Sequence, residues 1–418
     1  MFLLYTSTFF NFSVHFTAVV EHLLFFQMCY FSCTFCYIKH QGTTMKLNRI
    51  YSAILLSTLP LTPALAAGLD RSGQSIAAFL QPGNYAEAGI SILDPKVQSN
   101  QLKVNDMAED YYFPSAAIKI QATEHISIGL LYDQPFGAES LYPSNNPVFG
   151  ANGEATQVEV ETHNLSALIG YQPTENWNFY AGPVYQTVQG TVSLRGLAYG
   201  GASKLGSYDI NLKEDEAYGW LAGFAYQIPE IALKTAITYR SEIKHELDTT
   251  ETFGFGAIQR PNALTEVVTP QSVNIDFQTG VAANTLAFAN IRWVHWDQFA
   301  VTPKFLNSAS GNNLIDYSDD QWSATVGVGR KFNSHWSGSA SVGYDSGAGN
   351  PVTTLGPTEG YWSVGLGGQY SPAENYFIQA GVKYFWLGDA TARTGTTNVG
   401  EFEDNYALGY GLKIGYRF

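Results

Sequence analysis

A two-residue period runs through most of the chain. Ser272, Asn274, Asp276 and Gln278 alternate with Val273, Ile275, Phe277 and Thr279, the pattern of a strand with one polar and one apolar face. The period returns where Trp322, Ala324, Val326 and Val328 interleave with Gln321, Ser323, Thr325 and Gly327, and again at Tyr376, Ile378, Ala380, Val382, Tyr384 and Trp386. Short turns separate neighbouring segments at 122–124, 173–176, 228–230, 283–285, 333–334 and 371–374. Longer polar, Gly-rich connections fall at about 94–111, 134–157, 193–214, 243–270, 300–320, 346–359 and 388–403. Short turns on one side and long loops on the other are the asymmetry of a transmembrane β-barrel, with apolar strand faces on lipid and polar faces on the lumen. The turns define six hairpins; a first strand at 85–93 and a last at 404–418 bring the expected count to about 14. An even count returns both ends of the wall to the periplasm. The expected fold is all-β, a transmembrane antiparallel β-barrel over 85–418.

The last strand carries the most specific local signal. Leu408, Tyr410, Leu412, Ile414, Tyr416 and Phe418 alternate with Ala407, Gly409, Gly411, Lys413, Gly415 and Arg417. A terminal aromatic on such a strand resembles the signal read by the outer-membrane barrel assembly machinery, which makes that machinery an expected partner alongside outer-membrane lipid.

Composition agrees with the pattern. The 418 residues are 45% hydrophobic but only 14% charged, with 40 Gly, 26 Tyr and 26 Phe. So little charge and so much Gly argue against several soluble domains, and the aromatic content excludes disorder. Beyond the N-terminus no uncharged run reaches the roughly 18–20 residues that a spanning helix needs.

Trimming the N-terminus sharpens this. Met45 opens a second plausible start, with Lys46 and Arg49 before the apolar run Ile50–Leu61 and a cleavage pattern at Ala64-Leu65-Ala66; this is the layout of a secretory signal peptide. Residues 1–44 then read as an over-extended start, 45–66 as the leader, and the mature chain begins near Ala67. Cys29, Cys33 and Cys36 all precede Met45 and have no nearby fourth ligand, so no metal site is expected of them. The remaining chain is free of cysteine, which suits passage through an oxidising periplasm. Residues 1–66 hold three of the 22 Lys and Arg and one of the 36 Asp and Glu, so their removal takes the net charge from −14 to −16. That sign disfavours a nucleic-acid partner.

Lumen-facing positions are often small, as at Ser337, Ser339, Ser341, Gly365 and Gly367, which leaves room for a passage. Six cations share that parity: Lys119, Lys234, Arg240, Arg292, Lys383 and Lys413. Each either meets a cargo carboxylate or pairs with a wall carboxylate such as Asp276; Arg240 and Arg292 are the strongest candidates for cargo. The third outer loop holds Leu194, Leu197, Tyr199 and Leu205, and the fourth Phe253, Phe255, Ile258 and Leu264. Apolar groups beyond the membrane either pack as a cap or bind something apolar. No H-x-x-x-H, G-x-S-x-G or clustered ligand set is visible, so neither an enzyme nor a cofactor or metal is expected.

These residues, taken in order, resemble the FadL family of outer-membrane transporters for long-chain fatty acids and aromatic hydrocarbons. The likeness rests on Gly68-Leu69-Asp70-Arg71-Ser72-Gly73-Gln74, Gln81-Pro82-Gly83-Asn84-Tyr85, Pro135-Phe136-Gly137, Tyr239-Arg240-Ser241 with Ile243-Lys244-His245, Pro270-Gln271-Ser272-Val273-Asn274 and Trp293-Val294-His295-Trp296. The resemblance implies passive transport in a monomeric barrel of the bacterial outer membrane. Cargo would be captured at an apolar groove of Leu197, Leu205, Phe253 and Phe255 and leave sideways near Ile126–Tyr132, where Gly129 permits a kink. It also implies a short N-terminal plug over 67–84, with Gln81-Pro82-Gly83 standing where the family has Asn-Pro-Ala. A general diffusion porin for small hydrophilic solutes and a surface adhesin are the rival readings.

Overall fold

The computed structural model describes residues 69–418; the expected start at 1–44, the leader and Cys29, Cys33 and Cys36 lie outside them. The period-two segments become fourteen staves of one closed antiparallel barrel. They are β1 (Tyr85–Lys96), β2 (Tyr111–Gln121), β3 (Ile126–Asp133), β4 (Gln157–Tyr171), β5 (Trp177–Arg195), β6 (Ser207–Ile228) and β7 (Leu233–Arg240). The second half comprises β8 (Ser272–Ala282), β9 (Thr285–Val294), β10 (Gln321–Lys331), β11 (Trp336–Asp345), β12 (Tyr361–Ala373), β13 (Tyr376–Leu387) and β14 (Tyr406–Arg417). The barrel closes by pairing β1 to β14, from Tyr85 opposite Arg417 to Lys96 opposite Tyr406.

Burial follows the sequence parity. Ile275 and Phe277 on β8, Trp322, Val326 and Val328 on β10, and Tyr410, Leu412, Ile414, Tyr416 and Phe418 at the C-terminus face outward and are exposed, whereas Ser272, Asn274 and Gln321 are buried inside. Exposed aromatics form two bands, Trp177, Phe332, Trp336 and Tyr370 near the short turns and Tyr218, Trp220, Trp322 and Trp362 near the long loops. Such girdles mark the two membrane interfaces of an outer-membrane barrel.

The wall rises well beyond the lipid. The connection expected at 243–270 is a paired hairpin, Ile243–Phe253 against Ile258–Thr269, which also pairs with β6 from Thr249 opposite Leu212 to Thr252 opposite Asp209. Its inner residues His245, Leu247, Thr249 and Glu251 are buried, while Lys244, Glu246 and Asp248 point outward. A strand that has left the bilayer keeps its pairing but turns its outer face polar, so composition alone reads it as a loop. The expected loop at 388–403 is likewise a hairpin, Ala390–Thr394 with Thr397–Phe402, and 300–320 contains a short helix α1 (Lys304–Ser310).

Beneath this crown lies the main hydrophobic cluster. Tyr142, Phe149, Leu194, Tyr199, Tyr208, Trp296, Phe299, Leu306, Leu355 and Phe402 are all buried in it. The outer loops therefore pack on one another as a cap. A smaller cluster deeper in the barrel gathers Phe79, Leu131, Leu168, Tyr180 and Leu221.

Candidate functional site

The segment between Leu69 and Asn84 touches the inner wall on most sides. Asp70 is buried against Arg292 of β9, whose Nε donates to Asp70 Oδ2 at 2.7 Å. The same guanidinium donates to Asn274 Oδ1 at 2.7 Å and Gln74 Oε1 at 3.0 Å. Ser72 Oγ donates to Asp133 Oδ2 at 2.5 Å, and Asn274 Nδ2 donates to Gly73 O at 2.8 Å. Further along, Lys119 Nζ donates to Gln81 O at 2.9 Å and Lys234 Nζ to Leu80 O at 2.8 Å. Arg417 Nη2 reaches Gln81 Oε1 at 3.3 Å. The segment is thus held by polar contacts to β2, β3, β8, β9, β7 and β14, which are separated from it by up to several hundred residues of chain.

The expected lumen cations divide by what meets them. Arg292 is paired with Asp70, and Lys413 lies 3.0 Å from Glu87. Arg240, at the end of β7, shares the electrostatic neighbourhood of Arg292, Asp133 and Asp276, yet its buried Nη1 has no hydrogen-bond partner among the described residues. Asp276 accepts a hydrogen bond from Asn290 Nδ2 at 2.8 Å. Lys383 lies over the Phe385 ring at 4.9 Å. Ser339, Ser341, Gly365 and Gly367 do leave space, lining a mid-lumen cavity of about 110 Å³ with Ser72, Ser75, Asn274 and Lys383.

Gly129 is in regular register, opposite Lys119 on β2 and Leu168 on β4. Its bare backbone makes room for Phe79: a Cβ at 129 would stand 2.7 Å from Phe79 Cδ2. Phe79 is fully buried and meets Tyr180 edge-on at 5.9 Å. Ile126 and Tyr132 bracket this paired stretch, and Tyr132 Oη is hydrogen-bonded to His163 Nδ1 at 2.8 Å.

The wall discontinuity falls just beyond Tyr132. Pairing between β2 and β3 ends at Ala116 opposite Tyr132, so Tyr111–Ser115 pair with β1 alone. Pro114 within that stretch has no N–H to offer. Across from it the third stave bulges: Asp133 faces Asn164 and Gly137 faces Glu161, leaving Gln134–Phe136 opposite only two residues of β4. An extra residue bends a strand and breaks its ladder. From inside, Asp70 bridges Phe136, with Arg71 N donating to Pro135 O at 2.7 Å and Gly137 N to Leu69 O at 2.9 Å. A cavity of about 60 Å³ sits at the break, lined among others by Arg71, Tyr111, Tyr112, Gln134 and Glu161.

At the outer end, Leu197 is 67% exposed, while Leu205 and Phe253 are partly buried against the main cluster. Phe253 packs on Tyr208 at 5.1 Å, and the Arg195 guanidinium lies 5.2 Å from the Phe255 ring centroid. The four expected groove residues therefore occupy neighbouring parts of the crown, with Leu205 also lining a 50 Å³ cavity. Below the crown a cavity of about 40 Å³ has an almost wholly apolar lining that includes Leu69, Phe136, Val188, Leu247, Trp296 and Phe299. Gln81, Pro82 and Gly83 line a cavity of about 330 Å³ at the short-turn end.

Sequence reasoning found no clustered ligand set, but folding makes one: His295 Nδ1 lies 2.9 Å from Asp320 and 3.2 Å from Asp297 at the outer rim. The separation of 25 positions between His295 and Asp320 hides it from any spacing motif. Above the membrane, burial pushes the Glu359 carboxyl up to about 7 although Gly349 N donates to it at 3.0 Å.

A family profile described as "Outer membrane protein transport protein (OMPP1/FadL/TodX)" matches residues 56–418. No curated protein matches the chain in sequence. Among solved structures, a Pseudomonas aeruginosa FadL homologue is similar with a TM-score of 0.66 at 15% identity, over 86% of this chain and 95% of that one. The Pseudomonas putida toluene transporter TodX gives 0.60 at 14% identity, over 86% and 97%. The Ralstonia pickettii toluene transporter TbuX gives 0.56 at 12% identity, over 86% and 99%. At these identities the structural likeness speaks for the fold.

Proposed function

The chain belongs to the OMPP1/FadL/TodX family of outer-membrane transport proteins, and from that premise we propose that it passes long-chain fatty acids or related hydrocarbons sideways into the bilayer. At the coarser level it is an outer-membrane transporter of hydrophobic compounds, in a family of transport channels. The finer reading is carried by one observation, the break between β2 and the bulged third stave at Gln134–Phe136.

Capture begins at the crown, where Leu197, Leu205, Phe253 and Phe255 offer apolar surface outside the membrane. Each methylene withdrawn from water contributes roughly 0.8 kcal/mol, so a long acyl chain collects there without any energy source. The apolar cavity behind Phe136 and Trp296 is the next station. Phe136 lies both in that cavity and at the break in the wall, which links capture to exit through a single side chain. The segment 69–84 acts as the plug: its polar contacts reach strands on several sides of the wall, and Leu69 and Arg71 latch the bulge from inside. Cargo then runs down its own gradient. A water-filled porin is disfavoured by the packed cap and by this segment.

The test uses proteoliposomes with labelled oleate, toluene and a small sugar. Uptake of oleate or toluene above an empty-liposome control, with no sugar flux, supports the reading. A Tyr112→Cys/Gln134→Cys pair joined by a short bis-maleimide should stop that uptake. Undiminished uptake across the cross-linked wall would refute lateral release.

A further inference from the structure

The loop that joins β9 to β10 starts and ends on the outer side of the wall, and its two ends bring metal donors together. Val294 at the end of β9 stands opposite Gln321 at the start of β10. Strand alternation carries past Val294: Trp293, His295 and Asp297 lie to the outside, whereas Val294 and Trp296 are fully buried. Asp320, next to Gln321, arrives at the same place. His295 Nδ1 is 2.9 Å from Asp320 Oδ1 and 3.2 Å from Asp297 Oδ1, and the three donor atoms all lie within 4.8 Å of one another. Ligands on zinc bonds of about 2.0–2.1 Å at tetrahedral angles stand roughly 3.3 Å apart, so little has to move to admit an ion. Two features separate the trio from an ordinary surface ion pair. A ring nitrogen carries one proton at most, so a single N–H faces two carboxylates and serves only one of them well. Asp320 is also oriented from outside the trio, because its second oxygen accepts from Trp293 Nε1 at 2.9 Å. Such outer support is what ligating carboxylates carry. The imidazole is held in turn by its main-chain N–H, which donates to Gln271 O at 3.1 Å, and by the Trp293 ring at 5.4 Å.

We propose that His295, Asp297 and Asp320 form a binding site for a divalent transition metal such as zinc, and that the bound ion pins the turn 295–299. One imidazole nitrogen with two carboxylate oxygens suits zinc or copper, whereas calcium and magnesium take oxygen donors. Charge balances as well: a neutral imidazole and two carboxylates offset a dication. Three protein donors leave a position for water. The side chains are 19% exposed at His295, 26% at Asp320 and 44% at Asp297, so an ion reaches them from solvent. The mechanical consequence follows from the alternation. Trp296, between two of the ligands, turns inward, donates Nε1 to Gln321 Oε1 at 2.7 Å and walls the apolar cavity together with Phe299. Phe299 N donates to Trp296 O at 2.9 Å. Fixing residues 295 and 297 from outside therefore braces that wall from behind. The site does not depend on what the barrel carries.

The full chain, free of any affinity tag, is titrated in a non-ionic detergent by calorimetry with zinc, magnesium and calcium chlorides. Copper(II) paramagnetic resonance and amide hydrogen exchange are followed alongside. Zinc should bind at one site per chain and far more tightly than magnesium or calcium, and the copper spectrum should carry the coupling of a single nitrogen. His295→Ala should abolish both signals, and Asp297→Asn and Asp320→Asn should each weaken zinc. Trp293→Phe keeps an aromatic ring but removes the indole N–H; it should cost about tenfold to a hundredfold in zinc affinity, the loss expected when outer support goes. Asp319→Asn, which alters a neighbouring carboxylate outside the trio, should leave zinc affinity unchanged. Zinc should slow exchange at 296–299 in the wild type and not in His295→Ala. Unaltered zinc affinity in His295→Ala, calcium bound as tightly as zinc, or an equal loss in Asp319→Asn would overturn the site and leave an acidic surface. Binding with no change in exchange at 296–299 would overturn the pinning.

Discussion

Arg292 and Asp70 form an ion pair across 222 residues of chain, both side chains only 2% exposed. This contact fastens the segment ahead of the barrel to the ninth stave. Removing one partner of a buried pair leaves an uncompensated charge and costs about 3–5 kcal/mol. The barrel ladder is untouched by such a change, so the loss falls on docking of residues 69–84. In Asp70→Ala, hydrogen exchange at Arg71 and its neighbours should rise by roughly two to three orders of magnitude, at about 1.4 kcal/mol per tenfold. Asp70→Ala/Arg292→Met should recover much of the protection, since the stranded charge is then gone. Protection equal to wild type in the single variant would mean that the pair does not hold the segment.

A second contact holds the same segment by shape. Phe79 fills the space left by the missing side chains of Gly129 and Gly170. Forcing a methyl into a packed site costs typically about 1–3 kcal/mol. Gly129→Ala should therefore expose Phe79 to solvent exchange and speed proteolysis of the segment, while the barrel still resists heat in detergent as before. In a Phe79→Ala background the same substitution should cost almost nothing. A full cycle with no coupling between 79 and 129 would place the role of Gly129 in backbone bending instead.

The barrel was legible because its period is local. One residue in two faces lipid, and the parity read at Ser272–Thr279 or Leu408–Phe418 holds against burial in the structure. The family resemblance was legible too, although no single motif carried it. What escaped was set by contacts between distant residues. Nothing local in the sequence sets Asp70 beside Arg292 or Phe79 against Gly129. The hairpin at 243–270 was hidden for another reason. Above the lipid its outward positions Lys244, Glu246 and Asp248 lose the apolar character by which a membrane strand is recognised. Pro135-Phe136-Gly137 was visible as a motif, but the bulge it builds depends on register against β4.

The crown contains a pH-sensitive contact at Glu359. Its carboxyl is pushed up to about 7 by burial, the largest influence, against an ordinary value of 4.5. A carboxyl whose folded value is raised binds its proton more tightly in the folded state. Its contribution is therefore fully present below about 4.5, is lost as pH rises toward about 7, and is flat above that. Local exchange at Gly347–Gly349, corrected for the intrinsic pH dependence of the amides, should increase between pH 5 and pH 8. Glu359→Gln should hold the low-pH protection throughout. A wild-type profile as flat as that of the Gln variant would rule the switch out.

The capture groove makes a prediction that separates binding from folding. Leu194 is buried in the cap, whereas Leu197, three residues on, stands exposed. Leu194→Ser should loosen the crown, because burying a Leu side chain is worth about 1.5–3 kcal/mol to the fold. At Leu197 the same free energy is unspent in the free protein and available to a ligand. Leu197→Ser should leave thermal unfolding unchanged and weaken oleate capture by up to roughly tenfold to a hundredfold, the equivalent of that burial. Phe253 is intermediate, since its ring already packs on Tyr208; Phe253→Ser should lower both stability and capture. Binding of labelled oleate to detergent-solubilised protein, with melting curves alongside, distinguishes the three. If Leu197→Ser binds oleate as tightly as wild type, the exposed leucine is not part of the entry route and capture must be sought in the partly buried pair Leu205 and Phe253.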